Sequence, residues 1–264
     1  MSIPLPPALT RRRLIAAAAG VAVTSRFSAA RAAPAPVASK RATFVLVHGA
    51  WHGGWCWRRV ADRLSARGHY IVAPTLSGVG ERAHLAGDAI NLTTQISDVT
   101  GEIKWKDLDR IVLVGHSYGG MVITGVAEQL RERIAAIIYL DAFLPADGQS
   151  AGDVLGGATW PDRLVAPISA AAFGVNEKDR AWVDAKMTPH PVGCFTEKLK
   201  VSGAYQQVAK KLYIRASGFA NGAFDSALAR CSADRSWQTL VMKCGHDIMV
   251  DQPAELSALL ERLV

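Results

Sequence analysis

The sequence predicts an α/β fold with a mostly parallel central sheet, helices flanking the sheet, and a helical insertion between two of its strands. Short apolar, β-branched runs typical of buried strands alternate along the chain with segments of helical apolar spacing. Half of the 264 residues (50%) are hydrophobic, which is enough for one sizeable core. One apolar run ends in Gly115-His-Ser-Tyr-Gly119, a pattern typical of a strand, a sharp turn and a helix.

The first 40 residues are predicted to lie outside this fold. Thr10-Arg-Arg-Arg-Leu-Ile15 resembles a twin-arginine export signal, and an apolar run followed by Ala30-Arg-Ala32 is typical of a cleavable signal peptide. The apolar run ends at Thr24-Ser-Arg26, so it is too short to span a membrane. We expect a signal peptide at 1–32, a linker at 33–40 and the folded domain at 41–264. The mature protein would be periplasmic or secreted, without a stable membrane anchor.

The positive charge of the chain is concentrated in the same segment. The net charge is +7, and residues 1–32 carry five arginines and no acidic residue, which leaves about +2 for the rest. Because the predicted domain has no basic cluster, nucleic acid is not an expected partner.

Strands and helices are predicted to alternate through the domain. From about 145 to 207 the strand patterns disappear, and large apolar residues are spread among short helical pieces broken by prolines. We interpret this region as a cap over the site. The predicted strands are 43–47, 69–73, 111–114, 134–140, 211–215 and 237–242, and the predicted helices are 57–67, 94–104, 121–130, 224–231 and 253–263.

The turn after the strand at 111–114 supplies a candidate nucleophile. Glycines at both ends of Gly115-His-Ser-Tyr-Gly119 allow the tight turn that exposes one hydroxyl, that of Ser117. A serine needs a base within hydrogen-bond reach, and in this architecture the histidine comes last in the chain. His246, just after the final strand, is therefore the predicted base, whereas His69, His84 and His190 are interpreted as loop or surface residues.

The glycine- and tryptophan-rich loop at 48–57 is predicted to help bind the developing oxyanion. Two backbone N–H groups usually do this, one after the nucleophile and one after an early strand, here Tyr118 and Ala50. His48 and His52 have the four-residue spacing of paired metal ligands, but the glycines between and after them make a helix improbable. No metal and no cofactor is therefore predicted.

Taken together, three motifs resemble the α/β-hydrolase superfamily: Phe44 to Trp57, Gly115 to Met121, and Gly245-His246. Within that superfamily they resemble the branch of plant methylesterases, salicylate-binding esterases, hydroxynitrile lyases and small bacterial esterases. The resemblance implies a serine hydrolase that cleaves a small hydrophobic carboxylic ester through an acyl-enzyme. We expect Gly49, Trp51, Trp160 and Trp182 to line its pocket.

The acid of the triad is where the chain departs from this branch. The loop expected to carry it has no acidic residue before Asp225, which is also a favourable residue for the start of a helix. Asp141 ends the strand after the nucleophile turn, where an unpaired carboxylate among apolar residues would be costly. We favour Asp141, keep Asp225 as the alternative, and rank Asp247 last because it adjoins the histidine.

Two other functions stay open at this point. A hydroxynitrile lyase would use a threonine and a lysine at positions that hold Gly49 and Asp247 here. A binding protein that kept the fold and lost turnover is the other alternative. The sequence leaves open the oligomeric state, the identity of the ester and any pairing among Cys56, Cys194, Cys231 and Cys244, of which Cys231 with Cys244 is one possibility.

Overall fold

A computed structural model describes residues 41–263, so the predicted signal peptide (1–32) and linker (33–40) lie outside the described residues. Six strands form one sheet in the order β2-β1-β3-β4-β7-β8, and every neighbouring pair in it is parallel. The strands are β1 (Thr43–Val47), β2 (Tyr70–Val72), β3 (Ile111–His116), β4 (Ile134–Leu140), β5 (Leu164–Val165), β6 (His190–Pro191), β7 (Lys210–Ala216) and β8 (Trp237–Met242).

Helices cover both faces of the sheet. The helices are α1 (Arg58–Ala66), α2 (Leu92–Trp105), α3 (Gly119–Leu130), α4 (Ala151–Val154), α5 (Glu177–Asp184), α6 (Gly193–Thr196), α7 (Gly222–Ala233), α8 (Ile248–Asp251) and α9 (Pro253–Glu261). Alternate residues of β1 point to opposite faces, so that Val45 belongs to the core cluster that includes residues of α2, α3 and α7, and Phe44 belongs to the cluster that includes residues of α1 and α9. The predicted α/β class and parallel sheet are confirmed.

The region between β4 and β7 differs in part from the prediction. It contains the short helices α4, α5 and α6, but also an antiparallel pair in which Leu164 faces Pro191 and Val165 faces His190. The sequence predicted only helical pieces here, because strands of two residues are too short to show an alternating pattern.

The register of the sheet places the functional loops at one edge. His116, the last residue of β3, pairs with Leu140, the last residue of β4, so Ser117 and Asp141 leave the sheet side by side. The loop after β1 begins at the same edge, because Val47 pairs with Gly115. Within residues 41–263, no helix is both long and apolar enough to cross a membrane.

Candidate active site

Ser117 occupies a sharp turn between β3 and α3. Its backbone has a positive φ of 54°, its N–H donates to the Leu140 carbonyl at 3.2 Å, and its carbonyl accepts from the N–H groups of Gly120 and Phe143, both at 3.0 Å. A Cβ at Gly119 would lie 2.7 Å from the His48 carbonyl oxygen, so only glycine fits there. Ser117 itself is 9% exposed. The predicted strand, turn and helix therefore present the hydroxyl at the sheet edge.

The structure brings the predicted base and the favoured acid together. His246 Nδ1 donates to Asp141 Oδ2 at 2.6 Å, and both side chains are buried. The other oxygen of Asp141 accepts from Arg215 Nη1 at 2.8 Å and from the Ala216 N–H at 3.0 Å. Asp141 has a positive φ of 43°, in the left-handed region of the backbone. Each of these three contacts is thus with a hydrogen-bond donor.

The alternative acid, Asp225, lies in the first turn of α7 and contacts Arg215. Arg215 Nε donates to Asp225 Oδ1 at 2.8 Å, and the Asp225 side chain is 64% exposed. Burial disfavours the guanidinium, yet the charges of Asp141 and Asp225 raise the pKa of Arg215 above its ordinary value. Arg215 therefore binds both candidate acids, and the histidine contacts Asp141.

Aromatic rings fix the orientation of His246. Its ring stacks on Phe224 at a centroid distance of 5.3 Å and lies 4.6 Å from Phe219 and 5.2 Å from Phe173. The His246 N–H donates to the Phe173 carbonyl at 2.8 Å. Within the described chain, no hydrogen bond of 3.5 Å or less joins Ser117 Oγ to His246. Such bonds commonly tighten when substrate binds.

The loop after β1 lies against the nucleophile turn. A Cβ at Gly49 would be only 2.8 Å from Ser117 Cβ. Within residues 41–263, the N–H groups of Ala50 and Tyr118 donate no backbone hydrogen bond, so both can serve a ligand. His48 Nδ1 donates to the Gly49 carbonyl at 2.8 Å, which belongs to the peptide that carries the Ala50 N–H. Burial lowers the pKa of His48 to about 4, so its imidazole is neutral at pH 7.

The region between β4 and β7 holds the next residue of this loop, Trp51, which has a φ of 65°. The Trp51 N–H donates to His190 Nδ1 at 3.2 Å, Trp51 Nε1 donates to the Val165 carbonyl at 2.9 Å, and the Thr188 N–H donates to the Trp51 carbonyl at 3.0 Å. Burial lowers the pKa of His190 to about 3. The interpretation of His190 as a loop or surface residue is wrong, because it is buried within β6, whereas His69 does lie in a loop, between α1 and β2, although it is buried there.

Aromatic side chains form an apolar wall beside the turn. Phe195 lies 5.9 Å from Trp51, 5.4 Å from Tyr118 and 4.9 Å from Trp160, measured between ring centroids. Trp51 and Trp160 thus belong to the same aromatic group around Phe195 as Tyr118, the residue that follows Ser117.

The structure places Trp182 in a different environment from these aromatic residues. Its ring packs edge-on against Trp55 at 5.1 Å and lies under the guanidinium of Arg59, also at 5.1 Å. We expected Trp182 to line the pocket, but tryptophan content alone does not show which side of the sheet a residue packs on. The structure gives it a packing role instead.

Two buried contacts near the site were missed from the sequence. Asp247 Oδ2 lies 3.0 Å from His52 Nε2, and His116 Nε2 donates to the His246 carbonyl at 3.0 Å. The residues of each contact lie far apart in sequence, so spacing gave no signal for either. Asp247 thus contacts His52, in the loop after β1, rather than the adjacent His246.

The cysteines and possible metal ligands of residues 41–263 add little to the site. All four cysteines are free thiols, so Cys231 and Cys244 are not paired. Over the same range, no group of three or more His, Cys, Asp or Glu side chains is arranged to hold a metal ion.

Residues 44–259 match the model of the alpha/beta hydrolase family, and the chain belongs to this family. A carbendazim hydrolyzing esterase from Nocardioides sp. (strain SG-4G) is 40% identical over 240 residues, covering 84% of this chain and 99% of the relative. Methylesterase 1 of Arabidopsis thaliana is 32% identical over 158 residues, covering 56% of this chain and 51% of the relative. The family resemblance inferred from the sequence is confirmed.

Solved structures give the same fold. An extracellular alpha/beta-hydrolase from a Paenibacillus species superposes with a TM-score of 0.67 at 25% identity, covering 84% of this chain and 98% of that one. A methylesterase from Arabidopsis superposes with a TM-score of 0.70 at 22% identity, covering 84% and 98% respectively.

Proposed function

We propose that this chain is a carboxylesterase-type serine hydrolase that cleaves small hydrophobic esters through an acyl-enzyme intermediate. The observation that carries the proposal is the buried Asp141–His246 pair, at 2.6 Å, on the sheet edge where the tight turn places Ser117. The names of both curated relatives support ester hydrolysis, since one is called a carbendazim hydrolyzing esterase and the other a methylesterase.

In the proposed first step, the Ser117 oxygen attacks the carbonyl carbon of the ester while His246 Nε2 takes the hydroxyl proton. Asp141 accepts a hydrogen bond from the Nδ1–H of the ring, which holds the tautomer with a free Nε2 and stabilises the imidazolium. The N–H groups of Ala50 and Tyr118 would bind the oxyanion. The imidazolium then protonates the leaving alcohol, and an acyl-serine remains.

In the second step, His246 takes a proton from water, and the resulting hydroxide attacks the acyl carbon. The tetrahedral intermediate collapses, the proton returns to Ser117, and the carboxylic acid leaves. No other group is needed, because the same histidine accepts and returns each proton.

The surroundings of the turn support a small apolar substrate. Trp51, Trp160 and Phe195 form the apolar wall, and Gly49 leaves room where a side chain would contact Ser117. The hydroxynitrile-lyase alternative gains no support, because position 247 carries a carboxylate that contacts His52 and offers no cation to hold cyanide. The buried guanidinium of Arg215 is already bound to two carboxylates.

The proposal is tested with the domain of residues 41–264 and a panel of short nitrophenyl and methyl esters. We expect turnover of nitrophenyl acetate, its loss in Ser117→Ala, and covalent labelling of Ser117 by a fluorophosphonate, detected by mass spectrometry of the labelled peptide. Ser257→Ala is the matched control, since the hydroxyl of this buried serine donates to the Pro253 carbonyl within α9. Active protein that is not labelled at Ser117 would exclude the acyl-enzyme route.

We also propose that the protein is exported through the twin-arginine route and cleaved after Ala32, as the arginines at 11–13 and Ala30-Arg-Ala32 suggest. The domain at 41–264, with its cap at about 145–207, would then be the periplasmic or secreted enzyme. Sequencing the N-terminus of the exported protein tests this. An exported form that still begins near Met1 would contradict cleavage.

A further inference from the structure

A buried histidine–carboxylate pair lies beside the candidate active site and takes no part in the proposed proton transfers. His52 Nε2 and Asp247 Oδ2 are 3.0 Å apart, and neither side chain is more than 1% exposed. His52 Nδ1 lies 2.7 Å from the Ala50 carbonyl oxygen. The ring also stacks on Trp55 at a centroid distance of 5.2 Å, which fixes its plane.

The contacts define the protonation of this pair. The Ala50 carbonyl can only accept, so His52 Nδ1 carries a proton, and Nε2 carries a second one if Asp247 is ionised. Burial opposes both charges, but the Asp247 carboxylate raises the pKa of His52 above its ordinary value. Burial likewise favours a protonated Asp247, yet the charge and hydrogen bond of His52 lower its pKa below the ordinary range. These contacts and the two pKa shifts favour an imidazolium paired with a carboxylate, with both ring nitrogens of His52 protonated.

The pair joins two loops that are distant in sequence. His52 and Ala50 follow β1, whereas Asp247 directly follows His246 after β8, and 195 positions separate the paired residues. From the other side, His116 donates to the His246 carbonyl, and its Nε2 is 3.8 Å from Asp247 Oδ1. The β1 loop, the nucleophile turn and the histidine loop thus meet at one carboxylate.

We propose that the His52–Asp247 ion pair positions the oxyanion-binding residue Ala50 relative to His246, because His52 contacts the Ala50 carbonyl and Asp247 directly follows His246. This inference rests on the proposed function. Both residues act through others, so they are positioning residues. A displacement of about 1 Å in such a site can lower turnover by about a hundredfold.

The two partners are expected to contribute unequally. In His52→Gln the buried Asp247 loses its cation and with it the link to the Ala50 carbonyl, so kcat should fall by about a hundredfold. In Asp247→Asn the amide oxygen still accepts from His52, so the loops stay connected and the fall should be about tenfold. The double variant H52Q/D247N removes both charges and should be more active than H52Q.

The experiment measures kcat and KM for nitrophenyl acetate in all three variants, with folding checked by circular dichroism and urea denaturation. We expect KM to stay within about twofold of the wild type, because neither residue lies on the apolar wall. Asp179→Asn is the matched control, since Asp179 is a buried partner of Arg59 at 2.6 Å and its side chain accepts hydrogen bonds from Arg59 and Asn176, neither of them a residue of the proposed triad. It should lose stability and keep its kcat.

A kcat within twofold of the wild type in folded D247N and H52Q would overturn the proposal. If both single variants unfold, the kcat of the double variant is compared with that of the wild type, and a value within twofold would overturn the proposal in the same way. Nitrogen NMR of His52 separates this inference from the esterase proposal, since it needs no turnover. Two protonated ring nitrogens at pH 7 support the ion pair, and a neutral ring overturns it even if the protein is an active esterase.

Discussion

Replacing Asp141 by asparagine reverses one hydrogen bond and leaves the shape of the side chain unchanged. All three groups that contact the carboxylate are donors: His246 Nδ1, Arg215 Nη1 and the Ala216 N–H. The asparagine would keep its oxygen toward Arg215 and Ala216 and turn its NH2 toward the histidine. His246 Nδ1 would then have to accept, so the ring proton would move to Nε2, which could no longer take the proton of Ser117.

The expected loss follows from this tautomer. Removal of the carboxylate from a serine triad costs about 10⁴-fold in kcat, which is about 5 kcal/mol of transition-state stabilisation. We expect D141N to lose about 10³- to 10⁴-fold in kcat with little change in KM. Asp225→Asn should stay within about threefold of the wild type, because that side chain is 64% exposed and bonds to Arg215.

The assay is hydrolysis of nitrophenyl acetate by both variants, with urea denaturation to show that each is folded at the assay temperature. D141N should be less stable than the wild type, since Arg215 keeps only Asp225 as an ionised partner. A folded D141N with more than a tenth of the wild-type kcat, together with a hundredfold loss in D225N, would refute the assignment of the acid.

Three further predictions concern the loop, the cap and the thiols. Gly49→Ala should lower kcat at least about tenfold in the nitrophenyl acetate assay, because its Cβ would lie 2.8 Å from Ser117 Cβ and must displace the loop. The pKa of His190 lies at about 3 in the folded protein and near 6.5 in the unfolded chain, so the unfolded chain binds more protons between these values. The free energy of unfolding should therefore fall as pH drops, with about 2 kcal/mol of the loss between pH 7 and pH 5 due to His190 and absent from His190→Asn, measured by urea denaturation. Burial raises the pKa of Cys231 and of Cys244 to about 12, so Ellman's reagent should react with less than one thiol in native protein and with all four in urea.

Each of these predictions has a distinct contrary result. Wild-type turnover in G49A would show that the β1 loop is not held against the nucleophile turn. An unchanged pH dependence in H190N would mean that His190 is protonated without cost in the folded protein. Two reactive thiols in urea, rather than four, would indicate a disulfide.

The strands and the main turn could be predicted because their signals are local. β1, β4 and β8 have the bounds expected from the sequence, since each is a short run rich in apolar and β-branched residues between more polar segments. The glycines around Ser117 define a tight turn in the same way. The position of Asp141 could be inferred from the cost of leaving a carboxylate unpaired at a buried strand end.

The remaining features depend on contacts between distant residues, which periodicity does not report. In the sequence, Arg215 is only the end of a strand and His190 only part of a loop, although the first binds both candidate acids and the second holds Trp51. His52 and Asp247 are 195 positions apart, so nothing in their neighbourhoods pairs them. The expectation that Trp182 lines the pocket failed for a related reason, because the sequence around this residue fits packing on either side of the sheet.

The backbone of the site has a consequence for how the sequence can change over time. Trp51, Ser117 and Asp141 all hold the left-handed conformation, which costs an L-residue with a Cβ about 1 kcal/mol or more. Glycine would relieve that strain at each position, and each such exchange would remove a side chain from the site. At Asp141 that exchange would also leave the buried guanidinium of Arg215 and the Ala216 N–H without their carboxylate. The surrounding contacts therefore hold the strained backbone in place together with the side chains that the reaction needs.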